Sequence, residues 1–144
     1  MATGSKKTTE SKLTEERTAF KPFNYPWAYE AWLKHEQSHW LHTEVPMIED
    51  VKDWKNKLNE DEKKFLTHIF RFFTQGDIDV AGGYVKNYLP YFCQPEVRMM
   101  LCGFAAREAL HIAAYSHLIE TLGLPETMYN EFLAYQAMKE KHEY

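Results

Sequence analysis

Two long stretches with helical periodicity, separated only by Pro90 and Pro95, commit this chain to an all-α fold. The first opens at Asn59, an N-cap residue followed by Glu60, Asp61 and Glu62, where carboxylates favour the positive end of the helix dipole. Phe65, Leu66, Ile69, Phe70, Phe73, Val80, Ala81, Tyr84 and Tyr88 then recur as one stripe up to Pro90. Gly76, Gly82 and Gly83 weaken that helix intrinsically, so packing must hold it or a neighbour must approach closely. The second stretch opens with Pro95, well suited to a first helical position, and runs to about Leu122, where Gly123 and Pro125 stop it. A third begins near Pro125 and continues through Phe132, Leu133, Tyr135, Ala137 and Met138 to Tyr144 without a cap, so the chain is expected to end inside an element.

Upstream, residues 1–19 are rich in Ser, Thr, Lys and Glu and read as a disordered tail. Phe20 to Pro26, with two prolines, reads as an extended arm, and Trp27 to about Leu41 as a short helix. Pro46 and the acidic residues after it mark a loop. A length of 144 residues suits one domain, here residues 20–144, rather than two. The net charge of -4, with no dense Lys/Arg block, argues against a nucleic-acid partner. No apolar run reaches membrane-spanning length and no leader-like segment opens the chain, so a cytoplasmic, soluble protein is expected. Cys93 and Cys102 lack metal-site or redox spacing and are expected to be reduced and mostly buried.

The chemistry is concentrated at Glu108-x-x-His111, midway along the second long helix. A three-residue step sets the two side chains about 60° apart, and Tyr115, seven residues past Glu108, projects within about 20° of it. Carboxylate, imidazole and phenol therefore share one stripe, as in bundle-core di-iron and di-manganese sites. Two carboxylates and an imidazole suit iron or manganese.

The spacing alone is weak evidence. The chain's glutamate and histidine content predicts about one Glu-x-x-His by chance, and a second one occurs at Glu36-x-x-His39. Environment separates the two. Glu108 shares its face with Leu101, Phe104, Ala105, Ile112 and Tyr115, where a charge is costly unless paired or metal-bound. Glu36 lies among Lys34, His35, Gln37, Ser38 and His39, which water can solvate. The same reasoning selects a further ligand from the preceding helix. Asp77 shares its face with Phe70, Phe73, Val80, Ala81 and Tyr84, whereas Asp79 points about 160° away, among Gln75, glycines and Lys86. The candidate metal ligands are therefore Asp77, Glu108 and His111.

These residues and their spacing resemble the small, radical-generating subunit of class I ribonucleotide reductase. In that family an aspartate precedes the Glu-x-x-His-x-x-x-Tyr motif by 31 residues, as Asp77 precedes Glu108 here. Tyr25-Pro-Trp-Ala-Tyr-Glu-Ala-Trp32, His39-Trp-Leu-His-Thr-Glu-Val-Pro46, Phe70-Arg-Phe-Phe-Thr-Gln75 and His111-Ile-Ala-Ala-Tyr-Ser-His117 also resemble it, so the similarity runs from about Phe20 to the end. The resemblance implies a ferritin-like helical bundle and a dinuclear centre of iron, manganese or a mixed pair. It implies that Tyr115 is oxidised to a stable radical, and that Trp40 belongs to the relay carrying it to a large catalytic subunit that reduces ribonucleotides. It also implies a dimer of small subunits.

The family's site needs a further Glu and a second Glu-x-x-His on later helices. This chain offers three ligands to a site that wants about six, so it corresponds to the N-terminal half of the bundle. A split subunit is expected, in which a C-terminal half carrying the remaining ligands is a separate polypeptide and this chain is inactive alone. Two other classes compete. A different ferritin-like di-iron oxidase or iron-binding protein would use both Glu-x-x-His motifs. In a silent helical assembly module, Glu108 and His111 would merely pair with each other.

Overall fold

A computed structural model describes residues 11–144. Six α-helices form among them: α1 (Pro26–Gln37), α2 (Ile48–Asn56), α3 (Glu60–Gly83), α4 (Pro95–Thr121), α5 (Thr127–Asn130) and α6 (Gln136–Glu143). No strand occurs among the described residues. Asn59 caps α3 as its sequence predicts. Its side chain accepts from the Glu62 amide at 3.0 Å, and the Glu62 carboxylate accepts from the Asn59 amide at 2.9 Å. Beyond Gly83 the chain widens into a π-turn over Tyr84–Tyr88, which carries it towards Pro90. Gly123, at φ 74°, closes α4 in the left-handed conformation that a side chain would strain.

Helices α3 and α4 pack antiparallel: Tyr84 meets Phe104 and Phe73 meets Tyr115, so rising numbers on one match falling numbers on the other. Helix α1 lies parallel to α4, with Tyr25 near Glu96 at one end and His35 near Arg107 at the other. Ala28, Val97 and Leu101 form the buried centre of that contact. Of the two alternatives for the α3 glycines, packing or a neighbour's close approach, the close approach occurs elsewhere. A Cβ at Gly76 or Gly82 would meet nothing, whereas one at Gly103 would lie 3.1 Å from the Trp32 ring. Glycine at 103 thus lets the indole sit against the α4 backbone.

Several expectations change. The acidic stretch after Pro46 is helix α2 rather than a loop. Glu49 and Asp50 sit at its positive end, and Lys52 pairs back to Glu49 at 2.6 Å. Helix α1 ends at Gln37, short of Leu41, because the chain turns at Ser38 and becomes extended by Leu41. The third long helix is broken into α5, a 3-10 turn at Phe132–Ala134, and α6, with Tyr135 extended between them. Met128 and Phe132 in this broken segment are buried (1% and 3% exposed). Cys102 is exposed and Cys93 only half-buried.

Part of the expected tail is docked; residues 1–10 lie outside the described residues. Gln94 and Glu96, at the start of α4, are almost wholly buried and hold residues 11–25. The Gln94 amide donates to the Lys12 and Glu15 carbonyls at 2.8 Å. Glu96 accepts from the backbone of Asn24 and Tyr25 at 2.8 and 2.9 Å and pairs with Arg17. Composition hides this docking because most of its bonds are to backbone groups, with Leu13 and Tyr25 as the apolar side chains that join the core.

Candidate metal centre

The register of α3 against α4 brings Asp77 to Glu108 and His111. One ligand atom from each lies within 4.8 Å of the others, the only such trio of acidic, cysteine or histidine side chains among the described residues. Glu108 is more enclosed than His111, its side chain 17% exposed against 38%, and its Oε2 lies 3.2 Å from His111 Nδ1. That bond alone would also satisfy a silent Glu–His pair. Asp77 goes beyond it, because a second carboxylate is brought up against the first. Burial, and next the Glu108 charge, push the Asp77 carboxyl above its ordinary range; His111 and Lys141 act in the opposite direction.

The tyrosines around this cluster feel it. Burial and then the Asp77 charge push the Tyr115 phenol up, and burial, Glu108 and Tyr88 do the same for Tyr84. The Tyr115 ring stacks on Phe73 at 5.4 Å between centroids with planes 4° apart. The Trp40 indole stacks on His111. Trp40, Val45, Phe73, Asp77, His111 and Tyr115 together border an apolar cavity of about 460 Å³. The stripe around Asp77 is less enclosed than its composition predicts: Phe73 is 40% and Val80 46% exposed.

Asp79 and the second motif stand apart from this trio. Asp79 faces away from Asp77 and accepts from His142 Nδ1 at 3.1 Å. Glu36 and His39 are exposed, as their polar surroundings predict. Sequence reasoning missed three neighbours. In the sequence Phe73 is only one member of an apolar stripe, and Lys141 lies 64 residues from the Asp77 carboxylate that feels its charge. Arg107, next to Glu108, donates to the His35 and Ser38 carbonyls at the end of α1. A cation placed one residue before an inward carboxylate was the available signal.

The donor set fits a hard di-metal centre in part. Two carboxylates and an imidazole converge, and the repulsion between the two carboxylates is what a bound cation would offset.

The family model for the ribonucleotide reductase small chain matches residues 17–144. The chain is 60% identical over 132 residues to a probable ribonucleoside-diphosphate reductase small subunit of Invertebrate iridescent virus 6, covering 92% of this chain and 37% of that protein. It is 62% identical to a counterpart in Invertebrate iridescent virus 3, covering 92% and 35%. The chain thus spans about a third of the length of these relatives. In fold it resembles the ribonucleotide reductase R2 subunit from Clostridium botulinum (TM-score 0.74, 23% identity, 83% of this chain and 38% of that one). It also resembles a dimanganese(II) form of NrdF from Streptococcus sanguinis (TM-score 0.77, 20% identity, 89% and 46%). Among the described residues, no helix is long and apolar enough to cross a membrane. From residue 17 to its end, the chain belongs to the ribonucleotide reductase small-chain family.

Proposed function

We propose that this chain supplies half of a dinuclear metal site, together with the tyrosine that becomes the radical of a ribonucleoside-diphosphate reductase. The observation that carries this reading is the convergence of Asp77, Glu108 and His111 within 4.8 Å beside Tyr115. Asp77, Glu108 and His111 would hold iron, manganese or a mixed pair. When bound, that pair, after reaction with oxygen, supplies the oxidising chemistry that takes one electron from Tyr115.

The chain's own residues do the rest. Tyr115 would lose its Oη proton with the electron, the proton passing to the Asp77 carboxylate whose charge it feels, leaving a neutral phenoxyl radical. Burial and the Asp77 charge keep the phenol protonated beforehand. The stacked Phe73 ring covers one face of Tyr115 with carbon, which shields a radical from water and other reductants. Trp40, over His111, is the residue through which an electron passes between this centre and the large catalytic subunit.

Three ligands do not complete a dinuclear site. We infer that the remaining carboxylates and second imidazole come from a complementary set of helices that packs over this one. The apolar cavity beside Tyr115 and the half-exposed Phe73 favour such a cover. The subunit would act as a dimer in the cytoplasm, bound to its large subunit.

Electron paramagnetic resonance of the assembled subunit after metal, reductant and oxygen tests the reading. A tyrosyl signal that disappears in Tyr115→Phe is expected. A metal-loaded protein with no such signal would overturn the radical role.

A further inference from the structure

We propose that Arg107 is a positioning residue for the electron relay: its guanidinium fixes the last turn of α1 and thereby sets the Trp40 indole over His111. This inference rests on the relay role given to Trp40 above.

Three bonds define the clamp. Arg107 Nη2 donates to the His35 carbonyl at 3.0 Å, Nη1 to the Ser38 carbonyl at 3.2 Å, and Nε to His35 Nε2 at 3.3 Å. Both carbonyls lie at the end of α1, where a cation is favoured; the His35 carbonyl also accepts from the Ser38 amide at 3.2 Å. Only His39 separates Ser38 from Trp40. On α4, Arg107 and His111 are four residues apart, about one turn or 6 Å along the axis. The clamp and the stack therefore close a short ring: Arg107 to Ser38, two residues on to Trp40, across to His111, and one turn back along α4.

The other end of α1 is fastened by the opposite charge. Glu96 accepts from the Asn24 and Tyr25 amides, where the chain enters the helix. Glu96 and Arg107 are eleven residues apart on α4, three turns, and so project within about 20° of each other. A carboxylate holds the positive end of α1 and a guanidinium the negative end, so α1 cannot slide along α4 without losing both. Apolar packing would not hold it alone. Within α1 only Ala28 is fully buried, while Trp27 and Leu33 are 55% and 40% exposed. Trp32 against Gly103 fixes the middle of the helix, and Arg107 fixes the end that delivers Trp40.

Arginine suits the task because one rigid fork reaches two carbonyls at once, whereas lysine offers a single point. The test uses the complete small subunit, this sequence with the segment bearing the remaining ligands, together with its large subunit. Metal content, tyrosyl signal and ribonucleotide turnover are measured in parallel for Arg107→Gln and Arg107→Lys. Arg107→Gln is expected to keep metal and tyrosyl signal within about twofold while losing turnover by about tenfold or more. Arg107→Lys should recover part of that loss. The proposal is overturned if Arg107→Gln turns over like the unsubstituted protein. It is equally overturned if both variants lose metal and radical in proportion to turnover, since the residue would then serve only the fold. Failure of the relay reading looks different: Trp40→Phe would turn over normally, removing the relay and this proposal with it.

Discussion

The Trp40 indole lies over the His111 imidazole with ring centroids 6.3 Å apart and planes 26° from parallel. The two residues are 71 positions apart, and the docking of α1 on α4 together with the His42–His117 ring contact just beyond Trp40 brings them together. Trp40→Phe keeps an aromatic face for the imidazole but removes the ring that is readily oxidised. Metal content and tyrosyl signal should survive, while turnover with the large subunit falls by about tenfold or more. Equal losses in all three measurements would make Trp40 a packing residue.

The Asp77 carboxyl has a second, pH-dependent consequence. Its folded value is raised above the ordinary 3.8. Between those two values the native, metal-free chain binds more protons than the unfolded chain, so its stability falls as pH rises through that window. Stability is regained as pH drops back towards 3.8. Thermal unfolding of the metal-free protein should lose this component in Asp77→Asn. Within that pH window a metal, which needs the charged carboxylate, should release a proton on binding, measurable as heat that varies with the buffer. In Asp77→Asn metal affinity should fall beyond the roughly 10–100-fold that loss of a supporting group costs. A smaller loss would remove Asp77 from the ligand set.

Glu96 is fully buried and satisfied by two backbone amides and Arg17. Glu96→Ala strands those amides and leaves the guanidinium to the Phe20 and Pro22 carbonyls alone. A loss of about 3–5 kcal/mol is expected, towards the lower end because Arg17 keeps those two acceptors. Glu96→Gln retains an acceptor for the amides and should cost less. Urea denaturation reads both as a shift of midpoint at constant slope. Midpoints unchanged in both variants would mean that the arm does not stabilise the fold.

The sequence made the long helices legible where local signals agree. Asn59 with Glu62, Pro95 and Gly123 sit where their backbone chemistry puts them. The angular argument separating Asp77 from Asp79 also matches where the two side chains lie, since it needs only helical geometry. Contacts made by backbone were not legible. The Gln94 and Glu96 bonds to residues 12–25 leave no hydrophobic pattern, and the break at Tyr135 comes in a segment that buries Met128 and Phe132. Periodicity could continue the third helix but could not register that burial. Nor could it show that Gly103, rather than the α3 glycines, is where a neighbour approaches.

Two tyrosines lie close enough to the acidic cluster to feel it, and they can be told apart. Tyr115 answers to Asp77 and stacks on the carbon face of Phe73; Tyr84 answers to Glu108 and sits between Tyr88 and Phe104. A radical on Tyr84 would have a second oxidisable phenol 6.0 Å away, at Tyr88, to which it could be lost. A radical on Tyr115 has phenylalanine as its stacked neighbour, which is far harder to oxidise. Tyr115→Phe removes only the hydroxyl and keeps the ring stack, so stability should stay within about 1 kcal/mol of the parent. Metal content should hold while the tyrosyl signal and turnover fall to background. Tyr84→Phe should keep the signal. The opposite pattern, a signal lost in Tyr84→Phe and kept in Tyr115→Phe, would move the radical to Tyr84 and leave Tyr115 as the packing partner of Phe73.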